Sequence, residues 1–109
     1  MKHEHSELLE LLATCADACD HCAAACLHER ELHALVNCIR LDRDCADICR
    51  LTASYISRDS TQAGFLIHAC GEICLACAAE CSKHSHMEHC RECAEACRNC
   101  ADACSVGVS

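Results

Sequence analysis

The apolar positions of this chain recur at steps of three and four residues. "CADACDHCAAAC" (15–26) spaces cysteine at intervals of four, three and four, with Ala, Asp and His between. "CGEICLACAAEC" (70–81) repeats that spacing. Such a step is the period of one helix face. Strand signals are absent, because β-branched and aromatic residues are few and nowhere alternate. There is no Pro, Gly occurs only at 64, 71 and 107, and the common Ala, Leu, Glu and Arg favour helix. The pattern predicts an all-α chain.

Start and stop signals divide it into four helices. The first is expected from Ser6, a suitable N-cap, to about Glu29. After a turn near Arg30 to His33 the second runs to about Ser57. "SRDSTQ" separates the halves, with Asp59 or Ser60 capping a third helix that ends near Ser82. "KHSH" is the next turn, and a fourth helix spans about Met87 to Ser105, with Gly107 just past its end.

The halves are copies of each other. Adding 55 to Cys15, Cys19, Cys22, Cys26, Cys38, Cys45 and Cys49 gives Cys70, Cys74, Cys77, Cys81, Cys93, Cys100 and Cys104. Two cysteines lack partners, Cys90 and Cys97, which correspond to Leu35 and Asp42. A duplicated helical hairpin, with halves at about 6–57 and 60–105, predicts an antiparallel up-down four-helix bundle. Its inward seams would be Cys15/19/22/26, Cys38/45/49, Cys70/74/77/81 and Cys90/93/97/100/104. At 109 residues the whole chain is expected to be one domain.

Composition makes that core unusual. The apolar fraction is 52%, but 16 Cys supply much of it, and Tyr55 and Phe65 are the aromatic residues. Cysteine must fill space that Leu, Ile, Val and Phe normally fill. The net charge of −8, without a Lys/Arg cluster, argues against nucleic acid and anionic membrane surfaces. "MKHEHSELLELLATC" has no apolar signal core or cleavage site, and no apolar run is expected to reach membrane-spanning length. The expectation is a cytoplasmic chain with reduced thiols.

Thiols in rows have several chemistries open to them. Seven close pairs are CxxxC, whose Cβ atoms on a helix lie ~5–6 Å apart, beyond the ~3.5–4.5 Å a disulfide needs. Bridges between helices remain possible, as in a thiol-redox or structural module. Zinc favours paired CxxC, and four such pairs occur, at 19/22, 74/77, 90/93 and 97/100, embedded in the longer rows. Cu(I) is soft and takes thiolates. A near-linear S–Cu–S unit with bonds of about 2.3 Å separates its sulfurs by ~4.5 Å, which i,i+4 thiols can reach. With every sulfur bridging, capacity would approach about 16 Cu(I) per chain, and without bridging about 8. No thiol is singled out with a base and an orienting partner, so a catalytic cysteine is not indicated. The rows point to a metal store rather than an enzyme, with a zinc buffer as the alternative.

The two ends of such a bundle differ. One would collect Leu8, Leu9, Leu11, Leu12, Tyr55, Ile56, Phe65, Leu66, Ile67 and Val106 as a hydrophobic plug. The other collects His28, His33, His84, His86, Met87 and His89 above Cys26, Cys38, Cys81 and Cys90. Imidazole and thioether are competent copper ligands, so copper is expected to pass in at His84, His86, Met87 and His89. His21 and His68 lie off the rows and are expected at the surface, and His3 and His5 are expected to form a frayed, incidental copper-binding tail. Asp42, the one acid on a thiol row, is expected to pair with Arg43 or Arg98, or to tilt to solvent, in preference to the alternative of a role with the metal.

"CADACDHCAAAC", "CIRLDRDCADIC", "CGEICLACAAEC" and "KHSHMEHC" before "CRECAEACRNCADAC" together resemble the bacterial copper storage proteins, in particular their cytosolic branch. The resemblance covers about residues 10 to 105. It implies a bundle lined by cysteines that bind many Cu(I) ions, thiols reduced in the metal-free state, a homotetramer, and copper access near the histidine end. It assigns ligand roles to all sixteen cysteines and the access role to His84, His86 and His89. Members of that branch often carry further cysteines where this chain has Leu8, Leu11 and Leu12, so lower capacity and a drier plug are expected. Met87 is similar to the methionine-rich mouth of the exported branch.

Overall fold

The computed structural model describes residues 5–107. Four helices follow in order: α1 (Ser6–Cys26), α2 (Val36–Ser57), α3 (Ala63–Ser82) and α4 (Glu88–Gly107), with a short 3-10 turn (Leu32–Leu35) before α2. Each packs on its sequence neighbour, and α1 also meets α4, which closes an up-down ring. The bundle measures 46 × 18 × 18 Å. Among the described residues there is no strand.

Helix ends depart from expectation for local reasons. α1 stops at Cys26 rather than Glu29 because its last turn tightens. The N–H groups of Leu27, His28 and Glu29 donate to the carbonyls of Ala24, Ala25 and Cys26, each three residues back, at 3.1–3.2 Å. Asp59 does not cap α3. It adopts φ 54°, the left-handed conformation that ends a helix, and Ser60 N–H reaches back to the Tyr55 carbonyl at 3.0 Å. Ser60 retains part of the expected role, since its Oγ accepts Gln62 N–H at 3.1 Å just before α3. Ser6 is the first residue of α1 rather than its N-cap, which is His5. Gly107 closes α4 instead of following it.

The interior is the thiol rows with a small-residue lining. All sixteen cysteines are buried at 0–1% exposure, with Ala16, Ala23, Ala46, Ala78, Ala94 and Ala101 beside them. Small residues let the helices approach closely. At Gly71 the approach is tightest: a Cβ placed there would sit 3.2 Å from Cys104 Cβ on α4. α3 has the length and apolar composition of a membrane-crossing helix, with a mean hydropathy of 1.4 over its best stretch, contrary to the expectation that no run would reach that length. Cys and Ala weigh as apolar there, and the four cysteines of α3 are sealed inside the bundle.

The plug is narrower than predicted. Leu8, Leu12, Ile56 and Ile67 are buried, and Leu9, Leu11, Tyr55 and Leu66 partly so. Phe65 and Val106, both 75% exposed, lie outside it. Thr52 sits beneath these residues and donates its hydroxyl to the Leu66 carbonyl at 3.4 Å. On the surface Arg50 ties α2 to α1 through Asp17 and Asp20, at 3.1 and 2.7 Å.

Candidate metal centre

The helical step of three and four turns each cysteine row inward, and packing brings the rows together. Between helices, Sγ atoms approach at 3.6 Å (Cys19–Cys97, Cys45–Cys74), 3.7 Å (Cys15–Cys45, Cys15–Cys97, Cys49–Cys70) and 3.3 Å (Cys38–Cys81). Along one helix, the i,i+4 pairs Cys22–Cys26, Cys70–Cys74 and Cys93–Cys97 lie 3.9–4.0 Å apart. These separations are shorter than a linear S–Cu–S unit requires. The pairs along one helix match about 4.0 Å, the spacing of three sulfurs around one metal with bonds of about 2.3 Å, and the pairs between helices are shorter still. Thiols of one helix and thiols of neighbouring helices are thus close together, and each row offers sulfurs to the rows beside it.

The sulfurs group in overlapping quartets. Cys15, Cys49, Cys74 and Cys100 converge within 4.8 Å of one another, as do Cys15, Cys19, Cys45 and Cys97, and Cys19, Cys77, Cys93 and Cys97. Cys15, Cys19 and Cys97 each belong to two of these sets. Shared sulfurs suit bridging thiolates rather than isolated tetrahedra.

Asp42 is the residue that sequence reasoning misplaced. It is fully buried, and neither Arg43 nor Arg98 reaches it: Arg43 is exposed, and Arg98 donates to Ser82 Oγ at 3.0 Å. Its Oδ1 instead accepts from the thiols of Cys77 and Cys93 at 3.2 Å and of Cys81 at 3.5 Å, with Cys38 Sγ 3.8 Å from Oδ2. With Cys22, Cys38 and Cys81 it forms a further four-donor group. Burial first, then the sulfurs of Cys93 and Cys38, push its carboxyl up to about 9. The signal was available in the register, since an acid on a row of core cysteines sits where a helix turns away from water.

At the histidine end the predicted residues divide. His89 alone turns a ring nitrogen into the thiols: its Nδ1 lies 3.5 Å from Cys90 Sγ, 3.6 Å from Cys22 Sγ and 3.9 Å from Cys26 Sγ. Those four residues form a three-sulfur, one-nitrogen group. His84 turns away to Glu80 Oε2, 3.4 Å distant. Exposed His86 lines an open hollow with His28, Glu29, Arg30, Glu31 and Met87. Met87 is half-buried against the core, and His33 is exposed. Burial, then the nearby Cys38 sulfur, raises the Cys26 thiol to about 11, so a metal arriving here displaces a proton. His21 and His68 are exposed, as expected from their register, and His5 is half-buried. His3 lies outside the described residues.

Known proteins share this fold. The sequence model of a family described as copper storage protein matches residues 1–108. An uncharacterized cysteine-rich protein of Bacillus subtilis (strain 168), YhjQ, is 43% identical over 96 residues, 88% of each chain. The Cu(I)-bound copper storage protein BsCsp3 superposes with a TM-score of 0.92 at 41% identity, over 96% of this chain and 98% of that one. A cytosolic copper storage protein from Streptomyces lividans, loaded with five coppers, gives a TM-score of 0.94 at 42% identity, over 98% and 93%. With the family model spanning residues 1–108 and relatives 41–43% identical over most of the chain, the chain belongs to the copper storage protein family.

Proposed function

We propose that this chain stores Cu(I) as thiolate clusters inside a single domain spanning residues 1–109, built from halves at about 6–57 and 60–105, and that it is not an enzyme. The sixteen cysteines are the ligands, with the Asp42 carboxylate as an oxygen donor among them. Copper passes in at the end bearing His84, His86, Met87 and His89, with His89 the first residue to deliver it to sulfur. The protein works in the cytoplasm as a homotetramer, and copper is its partner rather than nucleic acid or membrane.

The observation that carries this reading is the sharing of sulfurs between quartets. Charge supports it independently. Sixteen thiolates balanced by about 16 Cu(I) leave no net charge on the sulfurs, whereas about 4 tetrahedral zinc sites leave a buried charge of about −8 on them. A chain already at −8 gains nothing from that burial.

The test is a titration of reduced protein with Cu(I) and with Zn(II) against competing chelators. Storage predicts tightly held Cu(I) well above about 4 per chain, the number of tetrahedral sites that sixteen thiols fill. Four tight zinc ions, with copper unable to exceed that number, would establish the zinc buffer instead.

A further inference from the structure

We propose that Glu29 is a positioning residue for copper uptake: it fixes the ring of His89 so that Nδ1 faces the mouth thiols. This rests on the copper-access reading above and extends it to a residue in the α1–α2 connection.

The argument begins with the turn. Tightening of α1 after Cys26, closed by the Glu29 N–H to Cys26 carbonyl bond of 3.1 Å, aims the Glu29 side chain across the bundle mouth. There its Oε2 lies 3.0 Å from His89 Nε2, a contact spanning 60 residues of sequence. An ionised carboxylate can only accept a hydrogen bond. In the neutral ring this contact places the proton on Nε2, which leaves the Nδ1 lone pair for the side of the ring that faces Cys22, Cys26 and Cys90. Without Glu29 the ring can turn over and present Cδ2 to the sulfurs, or move its proton to Nδ1 and lose the donor pair. The His89 side chain is 13% exposed and that of Glu29 38%, so the pair is shielded yet reachable from the hollow outside. Carboxylate support of a ligating imidazole commonly matters about 10–100-fold for metal binding. His84 also meets a carboxylate, Glu80, but no thiol contact accompanies it.

The test pairs a metal-free spectrum with loading kinetics. Nitrogen-15 NMR of the imidazoles at about pH 8, above the ordinary imidazole range near 6.5, reads the tautomer of His89, assigned by its disappearance in His89→Ala. The native protein is expected to show the proton on Nε2, and Glu29→Ala a mixture of tautomers. Stopped-flow delivery of Cu(I) from a chelator should slow about 10-fold in Glu29→Ala, with final capacity unchanged. Glu29→Gln, whose amide oxygen still accepts from Nε2, should recover part of both. A native tautomer in Glu29→Ala overturns the proposal. So does native loading in Glu29→Ala when His89→Ala loads slowly, and the access reading then survives. Native loading in His89→Ala overturns both.

Discussion

Asp42 stands where the second half of the chain has Cys97, and its surroundings give it an unusual acid–base character. Unfolded, the group titrates at its ordinary 3.8; folded, it is pushed up to about 9. Between those values the folded metal-free protein holds a proton that the unfolded chain has released, so stability falls as pH rises through the window. Relative to Asp42→Asn, the native protein should lose up to about 1.4 kcal/mol per pH unit across it, and the two should converge in acid. Urea midpoints measured under reductant at several pH values check this; parallel curves would show that the carboxyl titrates normally. At the mouth, replacing His84, His86 and His89 together by Ala should slow Cu(I) uptake while leaving capacity nearly unchanged, as followed by stopped-flow delivery from a chelator. Since only His89 touches sulfur, His89→Ala alone should account for most of the slowing.

At the scale of the element, two glycines of α3 make a controlled pair. Gly64 faces open space, and Gly71 faces Cys104. Gly64→Ala should raise stability by about 0.5–1 kcal/mol through helix propensity. Gly71→Ala should show no such gain, and Gly71→Leu should lose about 1–3 kcal/mol to overpacking, both read by chemical denaturation. Equal effects at the two sites would mean that α3 and α4 can part without cost. The helices were legible in the sequence because their signal is repeated four times over: apolar steps of three and four, and a register of 55 residues linking the halves. Their ends were less so. The 3-10 tightening after Cys26 and the left-handed Asp59 are backbone events decided by how the next helix must dock. A residue such as Asp59 favours caps and helix stops alike, so composition did not choose between them.

Across the whole molecule, the thiol rows and their convergence on one axis were readable, and which sulfurs meet was not. Spacing along one helix gives the pairs, and the 3.3–3.8 Å contacts between helices set further sulfurs beside them. Asp42 was misread for the same reason, since its partners Cys77, Cys81 and Cys93 come from two other helices. Phe65 and Val106 were assigned to the plug by end, but each faces outward on its helix. Because sulfurs are already within bonding reach of shared ions, loading should leave the helices in place. Filling with Cu(I) is expected to leave the far-UV circular dichroism unchanged and to raise the melting temperature strongly, by linkage of metal binding to the folded state. Stripping the metal with a chelator should reverse both; a large loss of helix on loading would show that the clusters need a rearranged bundle.

The plug of Leu8, Leu12, Ile56 and Ile67 has a temporal meaning. On the proposed access at the His89 end, a bundle closed at the other end would fill as a stack, in which the last ion to arrive is the first to leave. Ions around Cys22, Cys26 and Cys90 would turn over as small change, while those near Cys70 and Cys104 form a reserve released only after the layers above have emptied. Depth along the 46 Å axis would then act as a clock, with the order of release set by distance from the mouth.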